Sequence, residues 1–159
     1  MMHFQNPEEK INNNFIVDLL NFISKNGFSH HDLVMMGKES YLSNKNGVLG
    51  DRLAKNKTPQ ELLESIFIDN IDYFDRNFNY SITNLSDKIA RVKVQQNEDV
   101  AEILKKRQLG SRELSIYKSG VMSSFPRYIG QPSAKVQLIK CSHDNNSYCE
   151  YEFTFKKQS

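Results

Sequence analysis

The apolar residues of this chain follow two periods. Phe15, Ile16, Leu19, Leu20 and Ile23 recur with the one-sided spacing of an amphipathic helix. Asn12, Asn13 and Asn14 supply caps ahead of it, and Asn26-Gly27 ends it. Ser29 with Asp32 three residues on predicts a short helix through residues 33–36 that Gly37 closes. From 38 to 57 the pattern is weak, with a helical turn or two around residues 48–54. Thr58-Pro59-Gln60-Glu61 is the sharpest local signal: Thr58 caps free amides, Pro59 suits the first helical position, and Glu61 reaches back. A long helix is predicted to follow. Leu62, Leu63, Ile66, Phe67, Asn70, Ile71, Phe74 and Phe78 form its core stripe, with Asp69, Asp72 and Arg76 on the solvated side.

The period then becomes two. Tyr80 and Ile82, then Ala90, Val92 and Val94, alternate with polar residues about Ser86-Asp87-Lys88, the pattern of a hairpin. Asn97 caps a further helix with Glu98 and Asp99 in its first turn and basic residues in its last. Gly110 and Ser111 interrupt it, and a second helical stretch presents Leu114, Tyr117, Val121 and Phe125 before Pro126. Two strands, 134–141 and 148–155, are joined by a turn in which Asp144, Asn145 and Asn146 tolerate the required geometry. Cys149, Tyr151, Phe153 and Phe155 share one face of the second strand. The first is apolar on both faces, Val136 and Leu138 against Ile139 and Cys141, so its register is open by one residue. Helices, hairpin, helix, hairpin is the order of an α+β fold with helices packed against one face of an antiparallel sheet.

At 159 residues the chain supports one core. Residues 1–10 read as a flexible lead-in and 11–159 as a single domain. Ordinary apolar content argues against disorder. A net charge of +2 with scattered Lys and Arg argues against nucleic acid; Lys105-Lys106-Arg107 reads as a solvated helix end. The longest apolar run, residues 33–36, is far below the roughly 20 residues of a membrane span. No export signal precedes the two cysteines, which points to thiols in a reducing cytoplasm.

Three groups invite a chemical reading. Cys141, His143 and Cys149 offer three metal ligands, but two small buried hydrophobes or a redox-sensitive disulfide fit the spacing as well. His30 and His31 point about 100° apart on a helix and read as an exposed helix start. Ser119, Ser123 and Ser124 lack a nucleophile elbow, and Gly47-Val48-Leu49-Gly50 lacks the Lys-Ser/Thr ending of a phosphate loop. No catalytic signature appears, and no enzyme is expected. Phe74, Phe78, Tyr80, Tyr117, Phe125, Tyr128, Tyr151 and Phe153 fall on inward faces or element ends. They line an apolar pocket with tyrosine hydroxyls as its polar groups, or they fill a core.

Several short stretches carry a resemblance. They are Tyr117-Lys118-Ser119-Gly120-Val121, Ser123-Ser124-Phe125-Pro126, Ile129-Gly130-Gln131-Pro132, and Cys141 with Cys149 leading into Tyr151. Upstream stand Met36-Gly37-Lys38-Glu39-Ser40, Gly47-Val48-Leu49-Gly50 and Phe74-Asp75-Arg76-Asn77-Phe78. Together these resemble the 4-vinyl-reductase domain superfamily, which includes the sensor domains of phenol- and xylene-responsive activators and input domains of histidine kinases. The resemblance implies a fold shared with TRAPP-type tethering subunits, helices against a twisted antiparallel sheet with an apolar cavity between. It also implies a cytosolic, dimeric input domain that binds a small apolar or aromatic ligand and signals to an effector. In the phenol-sensing branch three cysteines and a glutamate hold zinc. Cys141 and Cys149 look like two of these ligands, while the glutamate position is Leu138 and the remaining cysteine falls near Ser115. No cofactor is therefore expected, with zinc requiring His143 as a substitute. A similar fold that binds haem clamps a propionate with Tyr-x-Ser-x-Arg; here Tyr117-x-Ser119-x-Val121 lacks the arginine, which argues against haem.

The expected reading is a non-enzymatic sensory domain. Phe74, Tyr117, Phe125 and Tyr128 form the centre of its pocket, with Phe78, Met122 and Phe153 behind them. The alternative is a dimerising or tethering module with a filled core.

Overall fold

The computed structural model describes residues 13–97 and 112–156. The helix predicted after Asn97, its break at Gly110-Ser111, and the 1–10 lead-in lie outside the described residues. Four helices come first: α1 (Asn13–Lys25), α2 (His30–Asn44), α3 (Val48–Leu53) and α4 (Pro59–Glu64). A hairpin of β1 (Phe78–Leu85) and β2 (Ile89–Gln96) follows, then α5 (Arg112–Ser123), a 3₁₀ turn (Phe125–Ile129), β3 (Lys135–Lys140) and β4 (Cys149–Thr154). The sheet is antiparallel in the order β1-β2-β4-β3. This is the α+β architecture that the alternation of periods implied.

Local chemistry explains the helix starts. Ser29 accepts the Asp32 amide while Asp32 accepts the Ser29 amide at 2.7 Å, a reciprocal capping box. Thr58 accepts the Glu61 amide at 3.2 Å, and the Glu61 carboxylate reaches one residue further back than expected, to the Lys57 amide at 2.8 Å. Gly27 leaves α1 with φ 93°, the left-handed geometry that favours glycine.

Two expectations are corrected. Gly37 does not close α2; the helix runs on to Asn44 with Gly37 buried in its middle. A Cβ on Gly37 would lie 2.2 Å from the Tyr117 carbonyl oxygen, and one on Gly120 would lie 2.1 Å from that of Val34. Both glycines are bare because α2 and α5 cross with main chain against main chain. The long helix from Pro59 is also shorter than its stripe suggests. It passes at Ser65–Asp69 into a π-helical turn and then a 3₁₀ turn at Ile71–Tyr73, so Phe78 opens β1. Asn70 drives the change: buried, it donates from Nδ2 to the Ser65 carbonyl at 2.8 Å and accepts from Arg52 Nη1 at 2.9 Å. A side-chain amide thus takes a carbonyl that a regular helix would give to its backbone.

The open register of β3 is settled by a bulge. Leu138 faces Tyr151 and Lys140 faces Glu150, leaving Ile139 as the extra residue. Val136 and Leu138 pack against the core, Ile139 turns outward at 41% exposure, and Cys141 returns to the interior. A second bulge between Ile82 and Asn84 does the same for β1, bringing Leu85 opposite Ala90. The inner sheet face, including Val92, Val94, Tyr151 and Phe153, meets Leu62, Leu63, Ile66, Met122 and Phe125 in one core. The outer face is polar, with Arg91 Nη2 2.8 Å from Glu152 Oε2.

The crossing gives a direct prediction. Gly37→Ala or Gly120→Ala lowers unfolding free energy by about 3 kcal/mol or more, because backbone atoms cannot yield as side chains do. Gly130→Ala, at φ 73° with open space around it, loses only about 1–2 kcal/mol. Urea denaturation of the three variants separates these outcomes.

Candidate functional site

A cleft of about 80 Å³ lies between α5, the irregular end of α4 and β1. Phe74, Tyr117, Met122 and Phe125 line it together with Phe67, Ile71, Tyr80, Leu114 and Val121, and Asp75 and Lys118 are its charged members. The helical spacing of α5 explains the wall. Leu114, Tyr117, Lys118, Val121 and Met122 fall on one side of the helix, and Phe125 continues them in the 3₁₀ turn.

The charged members form a satisfied network. Lys118 Nζ is 2.6 Å from Asp75 Oδ2, with side chains 14% and 8% exposed. Tyr80 donates its hydroxyl to Asp75 Oδ2 at 2.8 Å, and the Asn77 amide donates to Asp75 Oδ1 at 2.9 Å. Lys118 Nζ also sits 3.5 Å from the centre of the Phe78 ring, a cation–π contact. Burial, reinforced by the Asp75 charge and hydrogen bond, pushes the Tyr80 phenol well above its usual range. Burial raises Tyr117 as well.

The rings around the cleft touch one another. Phe74 and Phe125 have centroids 5.1 Å apart, Phe67 and Phe125 5.9 Å, and Phe67 stacks on Tyr80 at 5.5 Å. The space between is therefore small, far below the roughly 300–1,000 Å³ of a drug-sized site.

The expected pocket residues divide. Phe74, Tyr117, Met122 and Phe125 are brought together at the cleft, whereas Phe78, Tyr128 and Phe153 are not among its lining. Phe78 packs beneath Lys118. Tyr128 follows Phe125 in the 3₁₀ turn, with its ring 4.9 Å from that of Tyr41, and burial lifts its phenol to about 12 despite a hydrogen bond with Asn44. Phe153 is buried in the sheet, 6.4 Å from Phe67. Asp75 and Lys118 were not anticipated as site residues. The available signal was a lysine on the otherwise apolar stripe of residues 114, 117, 118, 121, 122 and 125.

Cys141 and Cys149 are free and buried, while His143 is exposed in the turn between them. Among the described residues no three His, Cys, Asp or Glu side chains are arranged to hold a metal ion. Burial pushes the Cys141 thiol up, a backbone hydrogen bond with His143 opposes this, and the neighbouring Cys149 adds to the rise. His30 and His31 are exposed at the start of α2. Ser119 and Ser124 donate to the carbonyls of Ile116 and Val121 at 2.6 and 2.7 Å, bonds to the preceding helical turn. No described helix is long and apolar enough to cross a membrane.

No family model and no curated protein matches the sequence. Solved structures do match in fold. Trafficking protein particle complex subunit 3 from Naegleria fowleri, covalently bound to palmitic acid, superposes with a TM-score of 0.67 at 17% identity, covering 94% of this chain and 98% of that one. An Fe(II) unliganded H-NOX protein from K. algicida gives 0.62 at 16% identity, covering 90% and 72%. The phenol-responsive sensory domain of the transcription activator PoxR, solved with phenol, gives 0.54 at 8% identity, covering 98% and 76%. The fold is thus the one that the sequence resemblance implied.

Two predictions follow from the buried groups. Lys118→Met or Asp75→Asn, each leaving one charge buried without its partner, costs about 3–5 kcal/mol, and the double variant recovers much of that loss. Chemical denaturation in a double-mutant cycle measures both. Burial also raises Tyr80, Tyr117, Tyr128 and Tyr151. A raised phenol keeps its proton in the fold after the unfolded chain has lost it. Stability is therefore complete below pH about 10 and falls as pH climbs from about 10 toward 12. Tyrosinate absorbance should rise late, together with loss of the fold, when followed by ultraviolet and circular dichroism titration.

Proposed function

We propose that this chain is a regulatory input domain that binds a small, mostly apolar molecule in the cleft and communicates its occupancy to a partner protein or effector domain. The observation that carries the reading is the cleft's composition. Apolar walls from Phe74, Tyr117, Val121, Met122 and Phe125 enclose one polar patch, the Asp75–Lys118–Tyr80 network. Such a site grips a ring or short chain by area and orients it by one polar group. Two proteins of the same fold hold small molecules of this character, phenol in one and palmitic acid in the other.

Size makes binding a signal. A cavity of about 150 Å³ takes benzene, so a ring enters the present space of about 80 Å³ only if side chains give way. Met122, unbranched, and Tyr117, half-buried, are the members with freedom to move. Their displacement bears on the irregular turns that face α5, and a ligand that favours the displaced arrangement shifts the population toward it.

A second reading rests on a different observation. Leu19 and Phe22 of α1, Phe28, and Met35 and Leu42 of α2 are large apolar side chains left exposed. Met35 and Leu42 are seven residues apart and so share a side of α2. A homodimer or tethering contact would cover them, with the cleft serving only as core.

Titration of methionine-methyl-labelled protein with single-ring phenols, single-ring carboxylic acids and medium-chain fatty acids tests the first reading. The expected result is a saturable shift of the Met122 methyl resonance and a raised melting temperature. Val121→Phe, which fills the cleft, weakens the response at least about tenfold, some 1.4 kcal/mol. Unmoved Met122 signals across the panel overturn ligand sensing. Sedimentation of the wild type against Met35→Glu/Leu42→Glu reports separately on the dimer.

A further inference from the structure

The β3–β4 hairpin brings together the only two cysteines of the chain, and the cleft uses neither. Cys141 continues β3 in extended geometry, φ −131° and ψ 132°. The last ladder pair is Lys140 with Glu150, so the next position outward opposes Cys141 to Cys149. Directly opposed residues of an antiparallel ladder have Cα atoms about 4.5 or 5.5 Å apart, within the roughly 4.4–6.8 Å that a disulfide spans. Both side chains turn to the same inner face, 2% and 8% exposed. The bulge at Ile139 is what puts Cys141 there; without the extra residue it would face solvent. The Cys149 sulfur accepts the Ser142 amide at 3.3 Å and lies 3.4 Å from the Ser142 hydroxyl, which holds it against the residue that follows Cys141.

Among the described residues a narrow route leads to Cys149. A crevice of about 20 Å³, bordered by Gln96, Lys118 and the exposed His143, ends on Cys149. A void of about 10–15 Å³ admits one water. Hydrogen peroxide is only slightly larger than water and fits, whereas a tripeptide disulfide such as oxidised glutathione does not.

We propose that Cys141 and Cys149 form a peroxide-oxidised disulfide site. In the first step the Cys149 sulfur attacks one peroxide oxygen, the O–O bond breaks, and Cys149 becomes a sulfenic acid as one water leaves. In the second the Cys141 sulfur attacks the sulfenic sulfur, the S–O bond breaks, and a second water leaves with the thiol proton. Two thiols lose two electrons and two protons in total, and peroxide is reduced to two waters. The Ser115 hydroxyl of α5 lies 3.8 Å from the Cys149 sulfur and also bonds to Cys141, so α5 touches the site where the new bond forms. Because α5 also walls the cleft, oxidation state and cleft geometry share one helix.

The test treats the reduced wild-type protein with stoichiometric hydrogen peroxide under native conditions, followed by denaturing thiol counts, intact mass and non-reducing peptide mapping. The expected result is joint loss of both thiols, a mass lower by two hydrogens, and a Cys141–Cys149 linked peptide. Dimedone added together with denaturant should trap nothing in the wild type, while Cys141→Ser yields the trapped sulfenic acid at Cys149. Oxidised glutathione at equal concentration should react at least about tenfold more slowly, as access demands. Thiols left intact in folded protein, dimedone adducts on the wild type, or disulfide-linked dimers each overturn the proposal.

Discussion

The crossing of α2 and α5 sets the position of everything on the helical side of this molecule. Gly37 and Gly120 let the two backbones approach until an added methyl carbon would overlap a carbonyl oxygen of the opposite helix. At such a distance neither helix can slide or roll without main-chain collision. The cleft wall of Leu114, Tyr117, Lys118, Val121 and Met122 is therefore borne on a fixed rod. Adaptation falls instead to side chains and to the irregular segment on the opposite bank, where the π-helical turn at Ser65–Asp69 and the 3₁₀ turn at Ile71–Tyr73 replace a regular helix.

The sheet is governed by a different constraint, the parity of its strands. An uninterrupted β3 would put either Leu138 or Cys141 toward solvent, since they stand an odd three positions apart. One surplus residue at Ile139 resolves the conflict by changing face mid-strand, and the irregularity between Ile82 and Asn84 does the same in β1. Both outer strands of the sheet thus carry a bulge while β2 and β4 pair in continuous register. Edge strands have one free side, so a local break in their ladder costs less than it would in the middle.

Much of this was legible in the residues. The capping box of Ser29 and Asp32, the Thr58-Pro59 start, both hairpins and the α+β order follow from local chemistry, and the structure shows each. Gly37 was misread because glycine ends helices and also permits close packing; only the partner, 83 positions further on, distinguishes these roles. The stripe from Leu62 to Phe78 was helical in period, but period is blind to Asn70, whose side-chain amide competes with the backbone. The cleft was half legible. Aromatic spacing pointed to Phe74, Tyr117 and Phe125, while the Asp75–Lys118 pair joins residues that only tertiary structure brings together.

A junction made of peptide groups asks very little of heredity. The crossing itself requires only that two positions stay without side chains. An architecture secured by such omissions is set by what two positions lack rather than by what they carry.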